Sequence, residues 1–144
     1  MRLTLTLLTL FALSALAMPF RSAAAEVSAL LVTASKNPGP SDARLKPYEA
    51  TLRRILRFES FRLVGEGSAQ IAAPGKGQIG LGGGHQLQLE IANEKSGRVD
   101  ATWQQGKRVL MQTGLSLRPG VPAVLGGPGT GKDGEVYAII VISK

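Results

Sequence analysis

The 144-residue chain has no cysteine, one histidine and one tryptophan, with only two tyrosines and four phenylalanines beside them. Without cysteine no disulfide can staple the fold, so a packed core must hold it together. The lipid-bearing cysteine of a bacterial lipoprotein is excluded for the same reason. One histidine and no thiol leave the usual His/Cys sites for transition metals short of ligands. So few aromatics also argue against an outer-membrane barrel, which needs aromatic girdles at both interfaces.

What is present begins with a leader. Arg2 precedes the uncharged, Leu- and Thr-rich run Leu3–Ala17, and Ala23-Ala24-Ala25 follows. A positive start, a short apolar stretch and small residues before a cut describe a secretory signal peptide. The run falls short of the roughly 20 apolar residues that span a bilayer. Residues 1–25 are therefore expected to be cleaved, leaving Glu26–Lys144 as a single β-rich globular domain, periplasmic or extracellular. A chain of that size should bury about two-thirds of its unfolded surface.

The formal charge of +7 includes Arg2 and Arg21; without them 15 basic residues face 10 acidic ones. The excess concentrates in Lys36–Arg62, where seven basic residues stand against Asp42, Glu49 and Glu59. Such a basic face attracts anionic surfaces. Arg53, Arg54 and Arg57 are its candidate contact residues. A lipid or glycan of the cell envelope, or a protein, is the expected partner. Nucleic-acid binding is disfavoured, because Tyr48, Phe58 and Phe61 fall on core-facing positions instead of forming a stacking platform.

Periodicity supplies the fold. Val27–Ala34 is an apolar, β-branched run of strand length, and Asn37-Pro38-Gly39-Pro40 breaks it. Leu45, Tyr48, Leu52 and Ile55–Leu56 recur at helical spacing, which predicts a helix over Pro47–Arg57 with Asp42–Lys46 as a preceding turn. Beyond it the period is two. Phe58–Val64, Gln86–Ala92, Arg98–Gln104 and Arg108–Leu117 alternate, the last with Val109, Met111 and Thr113 on one face. Val121–Leu125 is a short strand. Val136–Ser143, apolar on both faces, reads as a central one. The expected class is α+β and mostly β: a strand–helix–strand unit followed by an antiparallel meander. Seven or eight strands would form a sandwich or partly open barrel with one helix.

Two glycine motifs imitate nucleotide sites. "GPGTGK" within Gly126–Glu135 resembles the phosphate loop of an ATPase over eight residues. That loop requires Ser or Thr after the lysine, and a helix beyond it whose N-terminus holds phosphate. Here Asp133 and then a β-branched strand follow, so a hairpin loop with Asp133-Gly134 as its turn is expected. Gly75, Gly77 and Gly80 spell G-x-G-x-x-G, again without a helix. They read as tight turns around a short strand, Gln78–Leu81. No cofactor and no metal are implied.

His85 follows three glycines and reads as a polar residue flanking a turn. A small hydrolase using His85 or a carboxylate pair such as Glu90 and Asp100 is an alternative function. Trp103 alternates with Val99 and Ala101 and is placed in the core. Finally, "RPGVPAVLGG", Arg118–Gly127, resembles a secretin-type segment in which a turn leads into a short apolar strand closed by Gly-Gly. The resemblance covers ten residues and implies an accessory subunit of a secretion or pilus apparatus. The leading expectation is an exported, non-enzymatic binding or envelope-associated domain.

Overall fold

A computed structural model describes residues 24–92 and 97–144. The predicted leader lies outside these residues, except that Ala24 and Ala25 pair with Ala72 and Ile71 at the start of the first strand. The turn expected at Asn93–Gly97 is likewise outside, apart from Gly97.

Eight strands follow in order. They are β1 (Ala24–Ser35), β2 (Ser60–Ala72), β3 (Gly75–Gly82), β4 (His85–Ile91), β5 (Arg98–Gln105), β6 (Arg108–Ser116), β7 (Ala123–Gly129) and β8 (Glu135–Ser143). Between β1 and β2 run a 3-10 turn, Ala43–Tyr48, and the helix α1, Glu49–Leu56. Two four-stranded antiparallel sheets result, ordered β2-β1-β8-β7 and β3-β4-β5-β6. They stack as a sandwich and do not close into a barrel. The expected class, α+β and mostly β, is the observed one, and β8 is central between β1 and β7.

Alternation assigns every strand two faces. Val27, Ala29 and Leu31 of β1 point between the sheets, where they meet Leu87, Leu89, Trp103 and Ile139. Val32 and Ala34 point the other way, with Ala138 and Ile140, and α1 covers them through Leu52. The first sheet is thus buried on both faces, which is why β8 lacks a polar side. The second has a solvated outer face carrying Gln78, Gln86, Gln88 and Glu90, all exposed or half-buried.

The helix is shorter than its apolar stripe suggested. Pro47 lies inside the 3-10 turn, and Asp42 caps that turn by accepting from the Arg44 amide at 3.0 Å. A proline lacks the amide that a regular helix needs, so α-geometry begins only at Glu49. It ends at Leu56, because Arg57 adopts φ 54 in the left-handed region.

Glycine marks the larger departures. β2 continues to Ala72, through a stretch that periodicity leaves unassigned, and β3 spans Gly75–Gly82, longer than the short strand Gln78–Leu81 expected between tight turns. A Cβ on Gly65 would overlap the Leu81 carbonyl, and one on Gly67 the Gly80 carbonyl. β2 and β3 therefore pass backbone against backbone and close one side of the sandwich, an approach only glycine permits. Gly126–Gly129, expected as loop, is the second half of β7. In β6 a bulge near Leu110 breaks the predicted face. Val109 is 48% exposed, while Leu110 and Met111 both pack on the core.

Candidate binding surfaces

The predicted basic residues lie on α1 and its end. Arg53, Arg54 and Arg57 are all exposed. Arg53 pairs with Glu49 at 2.9 Å, one helical turn away, and also donates to the Glu59 carbonyl. Arg54 and Arg57 have no side-chain partner among the described residues. Ile55, between Arg54 and Arg57 in sequence, is 48% exposed. The three arginines thus lie close together on the surface, and one of them, Arg53, also braces the connection from α1 to β2.

His85 does flank a turn, as the first residue of β4, but its side chain faces the interior. Gly82, Gly83 and Gly84 do turn tightly before it, all with positive φ. The ring itself is buried, 3% exposed, between the sheets. Its Nδ1 accepts a hydrogen bond from the Trp103 indole at 3.1 Å, and its centroid lies 4.7 Å from that of Tyr137. An accepting Nδ1 puts the proton of the neutral ring on Nε2. Burial lowers the imidazole pKa from 6.5, since the charged form would lose its hydration. Pairing accounts for the burial: β4 enters the sheet at His85, opposite Gln105, with its odd positions inward.

Glu90 and Asp100 do stand directly opposite each other on β4 and β5, as the alternation implied. Both are exposed on the outer face of the second sheet, with Lys76 Nζ 4.0 Å from Glu90. His85 occupies the inner face of the same strand. The histidine and the carboxylate pair therefore do not converge on one site. Among the described residues no group of three His, Cys, Asp or Glu side chains is placed to hold a metal ion, and no helix is long and apolar enough to cross a membrane.

The phosphate-loop imitation resolves into strand and hairpin. Gly127 lies against Trp103, and a Cβ there would overlap the indole atoms Cζ3 and Cη2. Thr130 closes the hairpin by donating to a Glu135 carboxylate oxygen at 2.9 Å. Gly131 and Gly134 take the positive φ that the turn requires. The secretin-like segment forms a turn at Arg118–Val121, closed by Val121 N donating to the Arg118 carbonyl at 3.0 Å, and then β7. Pro119 followed by Gly120 at φ 77 has the residue order of a type II turn.

Two of the surface hollows lie at opposite ends of β1 and β8. An apolar one of about 200 Å³ opens between the sheets near both ends of the described chain, lined by Val27, Ile71, Ile91 and Leu117 beside Lys144. A polar one of about 360 Å³ lies at the opposite end of β1 and β8, beneath the Asn37–Pro40 loop. Thr33, Ser35, Ser60, Arg62 and Glu135 line it. Sequence reading missed this second site. The available signal was the appearance of Thr33 and Ser35 at the positions that continue Val27, Ala29 and Leu31, where an apolar face turns to hydroxyls.

The architecture defines an antiparallel β-sandwich with one covering helix. Compared with protein families, curated proteins and solved structures, the chain gives no match in any of the three.

Proposed function

We propose that the protein is an exported, non-enzymatic binding domain that contacts an anionic component of the cell envelope through Arg53, Arg54 and Arg57. The leader-like sequence over residues 1–25 supports export, and the basic excess of Lys36–Arg62 supports an anionic partner. The observation that carries the reading is the backbone of Arg57. Its φ of 54 lies where glycine is favoured and an L-residue with a long side chain costs about 1–2 kcal/mol. The backbone of Arg57 closes the helix, its N–H donating to the Arg53 carbonyl at 3.1 Å, but glycine would fill that cap with less strain. The arginine side chain is exposed and has no partner among the described residues, which points to a use for its charge.

The test is retention of the protein, produced from the full chain, on vesicles rich in anionic lipid and on an acidic polysaccharide matrix. Retention should fall steeply with salt, since exposed charges are screened beyond about 8–10 Å at ordinary ionic strength. Arg57→Gly should raise stability while lowering retention, and Arg54→Glu with Arg57→Glu should abolish it. Unchanged retention in both variants would refute the arginine surface.

A second reading, an accessory subunit of a secretion or pilus apparatus, draws on the edge of the second sheet. β6 has a neighbour on one side only and contains no proline, so its outer row of amides and carbonyls is open to strand addition. A strictly monomeric species, alone and with envelope extract, would count against it.

A further inference from the structure

The polar hollow has a chemistry that α1 does not share. It lies on the sandwich-facing side of the first sheet, whereas the helix covers the other side. Thr33 is the centre of a row across three strands, paired with Arg62 on β2 and with Tyr137 on β8. In the next row Ser35 pairs with Ser60 and with Glu135. Strands lie about 4.8 Å apart, so Arg62 and Glu135 flank the hollow on backbones about 10 Å from one another.

Part of this lining is committed to holding the wall. Ser35 Oγ accepts from the Asn37 amide at 3.1 Å, and Ser60 Oγ donates to the Asn37 carbonyl at 2.9 Å. These two hydroxyls fix the Asn37–Pro40 loop over the hollow. Glu135 has one carboxylate oxygen held by Thr130. The side chains of Thr33 and Arg62 have no partner among the described residues, and Arg62 and Glu135 do not pair with each other. A donor-only group and an acceptor-only group thus face one space across a hydroxyl that can be either.

We propose that this hollow binds a neutral sugar, a pyranose unit of a glycan. A hydroxyl both donates and accepts, so one ring bearing several can accept from Arg62, donate to Glu135 and exchange either bond with Thr33. A simple anion would satisfy Arg62 but meet the Glu135 charge, and an amine would satisfy Glu135 but meet Arg62. Pro38 and Pro40 add ring surfaces without amide donors, suited to the C–H face of a pyranose. The volume of about 360 Å³ falls at the small end of the roughly 300–1,000 Å³ typical of small-molecule pockets. Specific polar groups around a modest cavity are what orient such ligands.

The inference goes beyond the arginine surface and does not depend on it. Sugar binding through neutral hydroxyls should be insensitive to salt, whereas retention through Arg54 and Arg57 should not be. The experiment is a titration of the isotopically labelled protein, produced from the full chain, followed by backbone amide NMR. The probes are glucose, mannose, N-acetylglucosamine and their short oligomers, with inorganic phosphate and glycylglycine as comparison ligands. At least one saccharide should shift the amides of Thr33, Ser35, Ser60, Arg62 and Glu135. Arg62→Met and Thr33→Val should each weaken that binding about tenfold, equivalent to about 1.4 kcal/mol. Glu135→Gln keeps an oxygen for Thr130, so it tests the carboxylate without opening the hairpin, and it should also weaken binding. Retained amide dispersion in each variant shows that the fold persists. The proposal is overturned if no saccharide shifts these amides, if phosphate or glycylglycine alone does so, or if all three folded variants bind as the parent does.

Discussion

The indole N–H of Trp103 donates to Nδ1 of His85 at 3.1 Å, joining neighbouring strands inside the sandwich. The Tyr137 ring, from the opposite sheet, closes over the histidine at 4.7 Å. The bond exists only while the imidazole is neutral, because a protonated Nδ1 would point a second N–H at the indole.

This relationship sets a pH dependence of stability. Burial lowers the His85 pKa below 6.5, so the unfolded chain takes up a proton that the folded chain resists. Stability from this residue is whole above about pH 6.5 and declines as pH falls through the interval below it. Asp42 adds a separate, more acidic window. The guanidinium of Arg44 bonds its carboxylate and lowers its pKa from 3.8 to about 2, so that contribution is lost only between those values. Urea midpoints measured from about pH 8 to pH 5 should fall on the acid side for the parent protein. In His85→Phe the same plot should be flatter, starting lower by about 1–3 kcal/mol because the indole N–H is buried without a partner. Parallel curves for the two proteins would remove His85 as the cause.

Trp103 makes a second demand, on β7. Gly127→Ala would drive a methyl into Cζ3 and Cη2 of the indole, whereas a Cβ at Gly126 has Leu56 Cδ2 as its nearest neighbour at 3.4 Å. Overpacking of a core costs about 1–3 kcal/mol. Gly127→Ala is therefore expected to destabilise by that amount and to shift the emission of the sole tryptophan. Gly126→Ala should do neither. Chemical denaturation followed by fluorescence reads both effects, and equal stabilities for the two variants would contradict the packing described.

The outer face of the second sheet holds an unfavourable pair. Glu90 and Asp100 are directly opposite, and like charges across a ladder repel. Lys76 offsets this only from 4.0 Å and from the far side of Glu90. Asp100→Lys should stabilise by about 0.2–1 kcal/mol, and the gain should shrink as salt screens the new attraction. Thermal unfolding at low and high ionic strength checks both parts. A loss of stability at low salt would mean that the acidic pair is engaged elsewhere.

Local pattern made much of the fold legible. Alternation in β4 and β5 named their inward residues, because a sheet with one wet face must segregate polar from apolar side chains; in β6 the bulge near Leu110 broke it. The apolar run of β8 announced a strand covered on both sides. Asp133 and the strand after Gly134 were enough to read a hairpin in place of a phosphate loop. Glycine-rich strands were not legible. Gly65, Gly67 and Gly127 weaken strand propensity locally, yet each marks a contact with a backbone or ring that is distant in sequence.

The binding surfaces divide in the same way. Arg53, Arg54 and Arg57 share one short segment, so helical spacing alone brought them together. Thr33, Arg62 and Glu135 come from three strands, and only the pairing of β1 with both β2 and β8 sets them around one hollow. By itself the sequence determined which faces are apolar and where the charge lies, because those follow from residue type and local period. Tertiary structure decided the rest: the burial of His85 and the convergence of the polar hollow. Each depends on which strand lies beside which, a choice made by packing across the whole sandwich.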